Sequence, residues 1–123
     1  EYEPAAKRNK NLTSINFPIL RYSDVLLMVA EAENEYWGYP TDLAKECLRD
    51  VRIRAGISDN TNDLNSQNAF RNAIKDERAM ELCFEFTRRF DLIRWGEFVD
   101  KMNEQVDLAL SGIKVLRLHH FSV

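Results

Sequence analysis

The chain has 123 residues, 45% of them hydrophobic and 30% charged, with a formal net charge of −3. That length sets a ceiling of one domain and is enough to bury a core. Acidic and basic residues are interspersed, which removes the electrostatic grounds for a nucleic-acid partner or a polybasic membrane-surface segment, and no apolar run is long enough to span a bilayer.

Residues 1–16 are polar, with Lys7, Arg8 and Lys10, and read as a lead-in loop. The chain begins at Glu1 rather than Met, so a processed or excised piece of a longer protein is expected. Pro18 biases Phe17 toward extended backbone. A first helix is predicted from Leu20 to Trp37, with Tyr22, Val25, Leu26, Val29, Tyr36 and Trp37 on one face. Leu27, Met28, Ala30 and Ala32 widen the apolar surface around the cylinder, which predicts a central helix buried on most sides, with Leu26, Val29 and Ala30 deepest.

Gly38-Tyr39-Pro40-Thr41 reads as a turn, with Gly38 suited to a helix C′ position and Thr41 to the next N-cap. The second helix is predicted over 42–55, burying Leu43, Ala44, Cys47, Leu48, Val51 and Ala55 and ending at Gly56. A turn that short makes the two helices antiparallel. The offset of Ala32 from Ala44 resembles that of one tetratricopeptide unit.

A polar loop over 58–65 leads to a long third helix predicted from Ser66 to about Arg94, with a kink or break near Asp76 as the alternative at that length. Trp95-Gly96 marks a stop. A short helix follows from Glu97 to about Leu110, and the end from Gly112 to Val123 is β-prone, an edge strand or an unstructured tail. Cys47 and Cys83 fall on apolar helix faces and read as two buried free thiols, with a disulfide as the alternative.

The residues that could carry chemistry are few. Glu77, Glu81 and Glu85 are spaced four apart and would stack along one helix. Such a row needs cations, so Glu81 and Glu85 are each expected to meet an arginine from Arg78, Arg88, Arg89, Arg21, Arg52 or Arg54. Neither a Glu-x-x-His metal motif nor a phosphate-cradling glycine loop is present. The two histidines, His119 and His120, are adjacent in the tail. No nucleophile–base constellation pairs with Cys83. No catalytic residue, metal ligand or cofactor is therefore assigned. Tyr36, Trp37 and Tyr39 cluster at the first turn. Their commoner role is a hydrophobic clasp over the helix pair. A sugar-stacking platform is the alternative, with Trp37 and Tyr39 as its candidate binding residues.

Three segments carry a family resemblance. Glu77-Arg78-Ala79-Met80-Glu81-Leu82-Cys83-Phe84-Glu85-Phe86-Thr87-Arg88-Arg89-Phe90-Asp91-Leu92-Ile93-Arg94-Trp95-Gly96 resembles the signature of the SusD/RagB family. Leu20 to Met28, followed by Ala30-Glu31-Ala32, resembles that family's R-Y-x-D-x-L-L-M-x-A-E-A helix, and Val51-Arg52-Ile53-Arg54-Ala55-Gly56 its V-R-x-R-A-G. The resemblance covers roughly residues 17–98, so the chain divides into a lead-in over 1–16, a helical domain over 17–110 and an unassigned tail over 111–123. Phe86 stands where the family often has glycine, and Arg89 where it often has an aromatic residue.

The resemblance implies an all-α fold: a tetratricopeptide-like helix pair packed on a long third helix. It implies the scaffold segment of a surface lipoprotein of the outer membrane in Bacteroidetes-type bacteria. Such a protein binds oligosaccharide for nutrient uptake, docks on a TonB-dependent transporter, and is not an enzyme. The alternative from a different class is a stand-alone tetratricopeptide-like protein–protein interaction module.

Overall fold

The structure, a computed structural model, describes residues 19–119, with side chains described as far as residue 111. It is all-helical over that span: α1 (Tyr22–Trp37), α2 (Asp42–Arg54), a 3₁₀ turn (Thr61–Asp63), α3 (Gln67–Glu81), α4 (Arg88–Arg94) and α5 (Phe98–His119). Two compact units meet between Lys75 and Asp76, within α3.

In the first unit the predicted boundaries of α1 and α2 hold to within two residues, because local chemistry sets them. Gly38 ends α1 in the left-handed region at φ 76°, and its N–H donates to the Asn34 carbonyl at 3.1 Å. The Thr41 hydroxyl accepts from the Ala44 N–H at 3.1 Å and donates to Glu33 Oε2 at 2.8 Å. One side chain thus caps α2 and ties it to the last turns of α1.

The core consists of Leu27, Ala30, Ala44, Cys47, Leu48, Val51, Phe70 and Ile74. Ala30 is fully buried as expected, but Leu26 and Val29 only pack on the margin, and Tyr22 and Tyr36 are exposed. Among the described residues α1 is buried along one face: Ser23, Asp24, Leu27, Ala30 and Asn34. The expectation of a helix buried on most sides is corrected. Three of those five side chains are polar, so an apolar stripe read from the sequence points one residue off the true one. On α2, Ala44, Cys47, Leu48 and Val51 are buried as predicted, while Leu43 and Ala55 are exposed.

Asn34 is buried because it closes a polar joint. Its Nδ2 donates to the Gln67 carbonyl at 3.1 Å and to Glu35 Oε1 at 3.2 Å, and Gln67 Nε2 donates back to the Asn34 carbonyl at 3.3 Å. The end of α1 is thereby fastened to the start of α3, whose first turn is capped by the Ser66 hydroxyl accepting from Ala69 N–H at 3.2 Å. Arg71 reinforces the joint, its Nε donating to Glu35 Oε1 at 2.6 Å.

The polar loop is ordered by its own side chains. Asp59 Oδ1 accepts from the Thr61 hydroxyl at 2.6 Å and the Thr61 N–H at 2.9 Å, and these bonds hold its carboxyl below the ordinary carboxylate range. Arg49 Nε donates to Asp59 Oδ2 at 2.9 Å, and Arg52 donates to Asn60 Oδ1, so two α2 arginines latch the loop to their helix.

In the second unit the long third helix of the sequence reading is broken, but not near Asp76. Helix α3 runs through that point to Glu81, and the chain then turns over residues 82–87 before α4. Phe84 and Phe86 occupy the left-handed region at φ 67° and 64°. That region costs an L-residue roughly 1–2 kcal/mol. Glycine tolerates it, and position 86 is where the resemblance noted above places glycine. The substitution by Phe86 therefore sits in a strained turn rather than inside a helix.

The β-prone reading of the end is also corrected, since α5 continues to His119. Residues Ile113, Val115 and Leu118 carry β-propensity, but adding residues to an existing helix is far easier than starting a new element. Residues 1–18 and 120–123, including the lead-in loop and His120, lie outside the described residues.

Two stability measurements follow. Leu27 is fully buried in the core, so Leu27→Ala should lower unfolding free energy in denaturant titration by about 2–5 kcal/mol. Leu26→Ala, at the margin, should cost clearly less. Phe86 is 81% exposed, so Phe86→Gly gives up little burial and relieves the turn; it should be neutral to stabilising by up to about 1 kcal/mol. Phe86→Ala, which keeps the strain, should give no gain.

Candidate functional site

The last turn of α1 and the residues after it assemble an aromatic corner. Tyr36 and Trp37 pack edge to face, with ring centroids 4.9 Å apart and planes at 90°. Tyr39 follows Gly38, whose left-handed backbone reverses the chain, and Pro40 is buried beneath the turn. Tyr36 is 80% exposed, Trp37 53% and Tyr39 55%. The clasp reading fails on those exposures, because rings sealing a core would be covered. Three accessible aromatic side chains on a capped turn can instead stack against the apolar face of a ring-shaped ligand. Trp37 and Tyr39, the sequence-derived candidates, belong to this corner. Tyr36 packs against the indole in that T-shaped contact.

The charged signature is organised differently from the expected row. Glu77 and Glu81 lie on α3, but Glu85 falls in the turn and does not stack with them. All three acids have polar or electrostatic interactions. One buried pair in this stretch is Arg78 Nε to Asp91 Oδ2 at 2.8 Å, with side chains 3% and 5% exposed. Arg94 Nε reaches the other oxygen, Oδ1, at 3.0 Å. Asp91 thus takes one guanidinium on each oxygen and ties α3 to α4 across the strained turn. Sequence reasoning missed it. The available signal was that Asp91 is the single carboxylate between Phe86 and Gly96, in a stretch holding Arg88, Arg89 and Arg94.

Trp95, the signature tryptophan, is half-buried and carries two cations. The Arg94 guanidinium lies 4.8 Å and the Arg88 guanidinium 5.6 Å from its ring centroid. Arg89 lies 5.9 Å from the Phe98 ring. Cation–π contacts of this kind explain why arginines crowd a segment rich in aromatic residues. They occupy the indole as a packing element. The turn, α4 and the end of α3 also border a shallow groove of about 550 Å³, with Leu82, Phe84, Phe86 and Phe90 among its walls.

The two thiols have different environments. Cys47 is buried, and that burial pushes its pKa up, helped by Asp50 and Glu46. Cys83 is exposed on the groove, which corrects the expectation of two buried thiols. Neither is in a disulfide. Among the described residues no helix is long and apolar enough to cross a membrane.

Comparison with known proteins places this architecture. The profile of the SusD family matches residues 2–113. The chain is 43% identical over 93 residues to SusD-like protein P25 of Formosa agariphila, covering 74% of this chain and 17% of the relative. It is 36% identical over 99 residues to SusD-like protein P2 of the same organism, covering 76% and 19%. A crystal structure of a SusD homologue from Bacteroides thetaiotaomicron superposes with a TM-score of 0.57 at 44% identity, over 64% of this chain and 16% of that one. The chain belongs to the SusD family. It spans less than a fifth of the length of these curated relatives.

The buried ion pair has a direct test. Asp91→Ala removes the buried carboxylate that Arg78 and Arg94 share and should cost about 3–5 kcal/mol in equilibrium unfolding. A loss below about 1 kcal/mol, the scale of an exposed pair, would mean that the turn does not depend on it.

Proposed function

We propose that the whole protein is an oligosaccharide-binding component of nutrient uptake at the cell surface and that this chain supplies part of its helical scaffold. It is a lipoprotein of the outer membrane in a Bacteroidetes-type bacterium, and it works with a TonB-dependent transporter. Binding, not turnover, is its role. Family membership carries this reading. Two physical observations support the scaffold role. The family's motifs fall on packing elements: the α1–α2 hairpin with its core, the Arg52 latch, and the Asp91 ion pair with the Trp95 cations. The small share of each relative that the chain covers also favours a segment over a stand-alone module.

Calorimetric titration of a broad oligosaccharide panel tests the reading. A longer protein carrying the family's remaining length should bind at least one glycan, and the 123-residue chain alone should bind it far more weakly. Failure of the longer protein to bind any member of the panel would sink the glycan reading. Trp37→Ala and Tyr39→Ala in the longer protein separate scaffold from contact. A tenfold affinity loss, about 1.4 kcal/mol, with an unchanged melting temperature would make the aromatic corner part of the sugar site.

A further inference from the structure

Helix α5 takes little part in the packing described above. From Val99 to Ser111 every side chain is exposed, yet Val99, Met102, Val106 and Leu110 are apolar, and Val106 is 55% exposed. Apolar side chains exposed as a continuous stripe mark an interaction surface. The stripe has a definite period. Val99, Met102, Val106, Ala109, Ile113 and Leu116 alternate spacings of three and four. Those are the a and d positions of a heptad repeat, with a β-branched residue at each a. The helix has 22 residues and continues to His119, so these positions share one helix about 33 Å long.

A heptad seam is completed by another helix, whose side chains supply the holes for its knobs. Charge selects which helix. Lys101 Nζ donates to Glu104 Oε2 at 2.8 Å, so those two offset one another at positions away from the seam. The first half of α5 then carries Asp100 and Asp107, and the second half carries Lys114 and Arg117. Turned end for end, the helix is its own electrostatic complement. An antiparallel pair sets each acidic half beside a basic half, whereas a parallel pair sets like halves together. The antiparallel register also matches the seam. Val99 comes level with the partner's Leu116, Met102 with the partner's Ile113, and Val106 with the partner's Ala109. The small Ala109 at the middle permits close approach of the two helices.

We propose that α5 pairs with α5 of a second copy of this chain as an antiparallel two-helix coiled coil. The two-fold axis crosses the middle of the helix, between Asp107 and Leu108, so each contact occurs twice and the assembly closes at two copies. Nearly the whole of α5 overlaps in this register, from Phe98 at one end to His119 at the other. The pairing is independent of the oligosaccharide reading, because it rests on α5 alone and uses nothing from the aromatic corner.

Sedimentation equilibrium of the 123-residue chain over a range of concentrations tests the pairing. The mass should rise with concentration from one chain toward two and no further. Val106→Glu places a charge in the central layers of the seam and should weaken association by about tenfold or more, the scale of roughly 1.4 kcal/mol. Because Val106 is exposed, the variant should keep the circular dichroism spectrum of the unpaired chain. A mass of one chain at every concentration, or association that Val106→Glu leaves unchanged, would overturn the proposal. Orientation is read by oxidative cross-linking in a Cys83→Ser background, which removes the exposed thiol. A Met102→Cys chain should cross-link to an Ile113→Cys chain faster than either cross-links to itself. Faster self-cross-linking of each would mean a parallel pair and would overturn the charge argument on which the proposal stands. The longer protein used for glycan titration should also sediment as a pair and lose that pairing with Val106→Glu. A longer protein that stays single and melts at a lower temperature when Val106→Glu is introduced would show that its own chain covers α5, and the proposal would fall.

Discussion

The structure of the first unit depends on the burial of Leu27 and Ala30 of α1 with Ala44, Leu48 and Val51 of α2. Ala30 and Ala44 are both fully buried, and small side chains at such positions permit close approach of two helices. Phe70 and Ile74 of α3 complete the same cluster. Helices of 13 to 16 residues are marginal alone in water, so most of their stability comes from the face they bury. The capping residues then decide where that hairpin begins and ends.

Polar groups close what the apolar core leaves open. Thr41 links the cap of α2 to Glu33, and Asn34 exchanges hydrogen bonds with Gln67, so the three helices of the first unit are joined at one end by partly buried polar contacts. Arg49 and Arg52 do the same for the loop that follows α2. In the second unit the corresponding role falls to Asp91, which holds Arg78 and Arg94 on its two oxygens. A buried carboxylate with two guanidinium partners is expensive to desolvate, yet removing one member costs more than the whole arrangement contributes. Such a device specifies a single geometry for the turn between α3 and α4. Two phenylalanines are held there in the left-handed region, a strain that persists only where surroundings over-determine it.

The exposed chemistry is segregated from this packing. Aromatic rings gather at the C-terminal end of α1, a helix whose middle is committed to the core. Side chains there project into solvent while their backbone is fixed from within, and that combination suits recognition.

Helix existence was legible in the sequence, because it follows from local periodicity and caps: Gly38, Thr41, Gly56 and Ser66 each act within a few residues. The all-α class followed from the same local patterns, and the family from the resemblance of three motifs to known ones. The face each helix buries was not legible. Ser23, Asp24 and Asn34 replace apolar residues on the true inner face of α1, and only the position of Gln67, thirty-three residues away, shows why Asn34 belongs there. The break after Glu81 was hidden for a related reason. Nothing between Leu82 and Thr87 is a helix breaker by composition, and Phe84 and Phe86 resist left-handed backbone locally. The turn forms because the Arg78–Asp91 pair and the burial of Leu82 and Leu92 act across it. The sequence by itself determined helices, caps and family. The tertiary structure decided which side chains are inside, where the long helix ends, and that Asp91 joins Arg78 in a buried ion pair. Burial and ion pairing depend on distances between residues far apart in the chain, and no local pattern contains those distances.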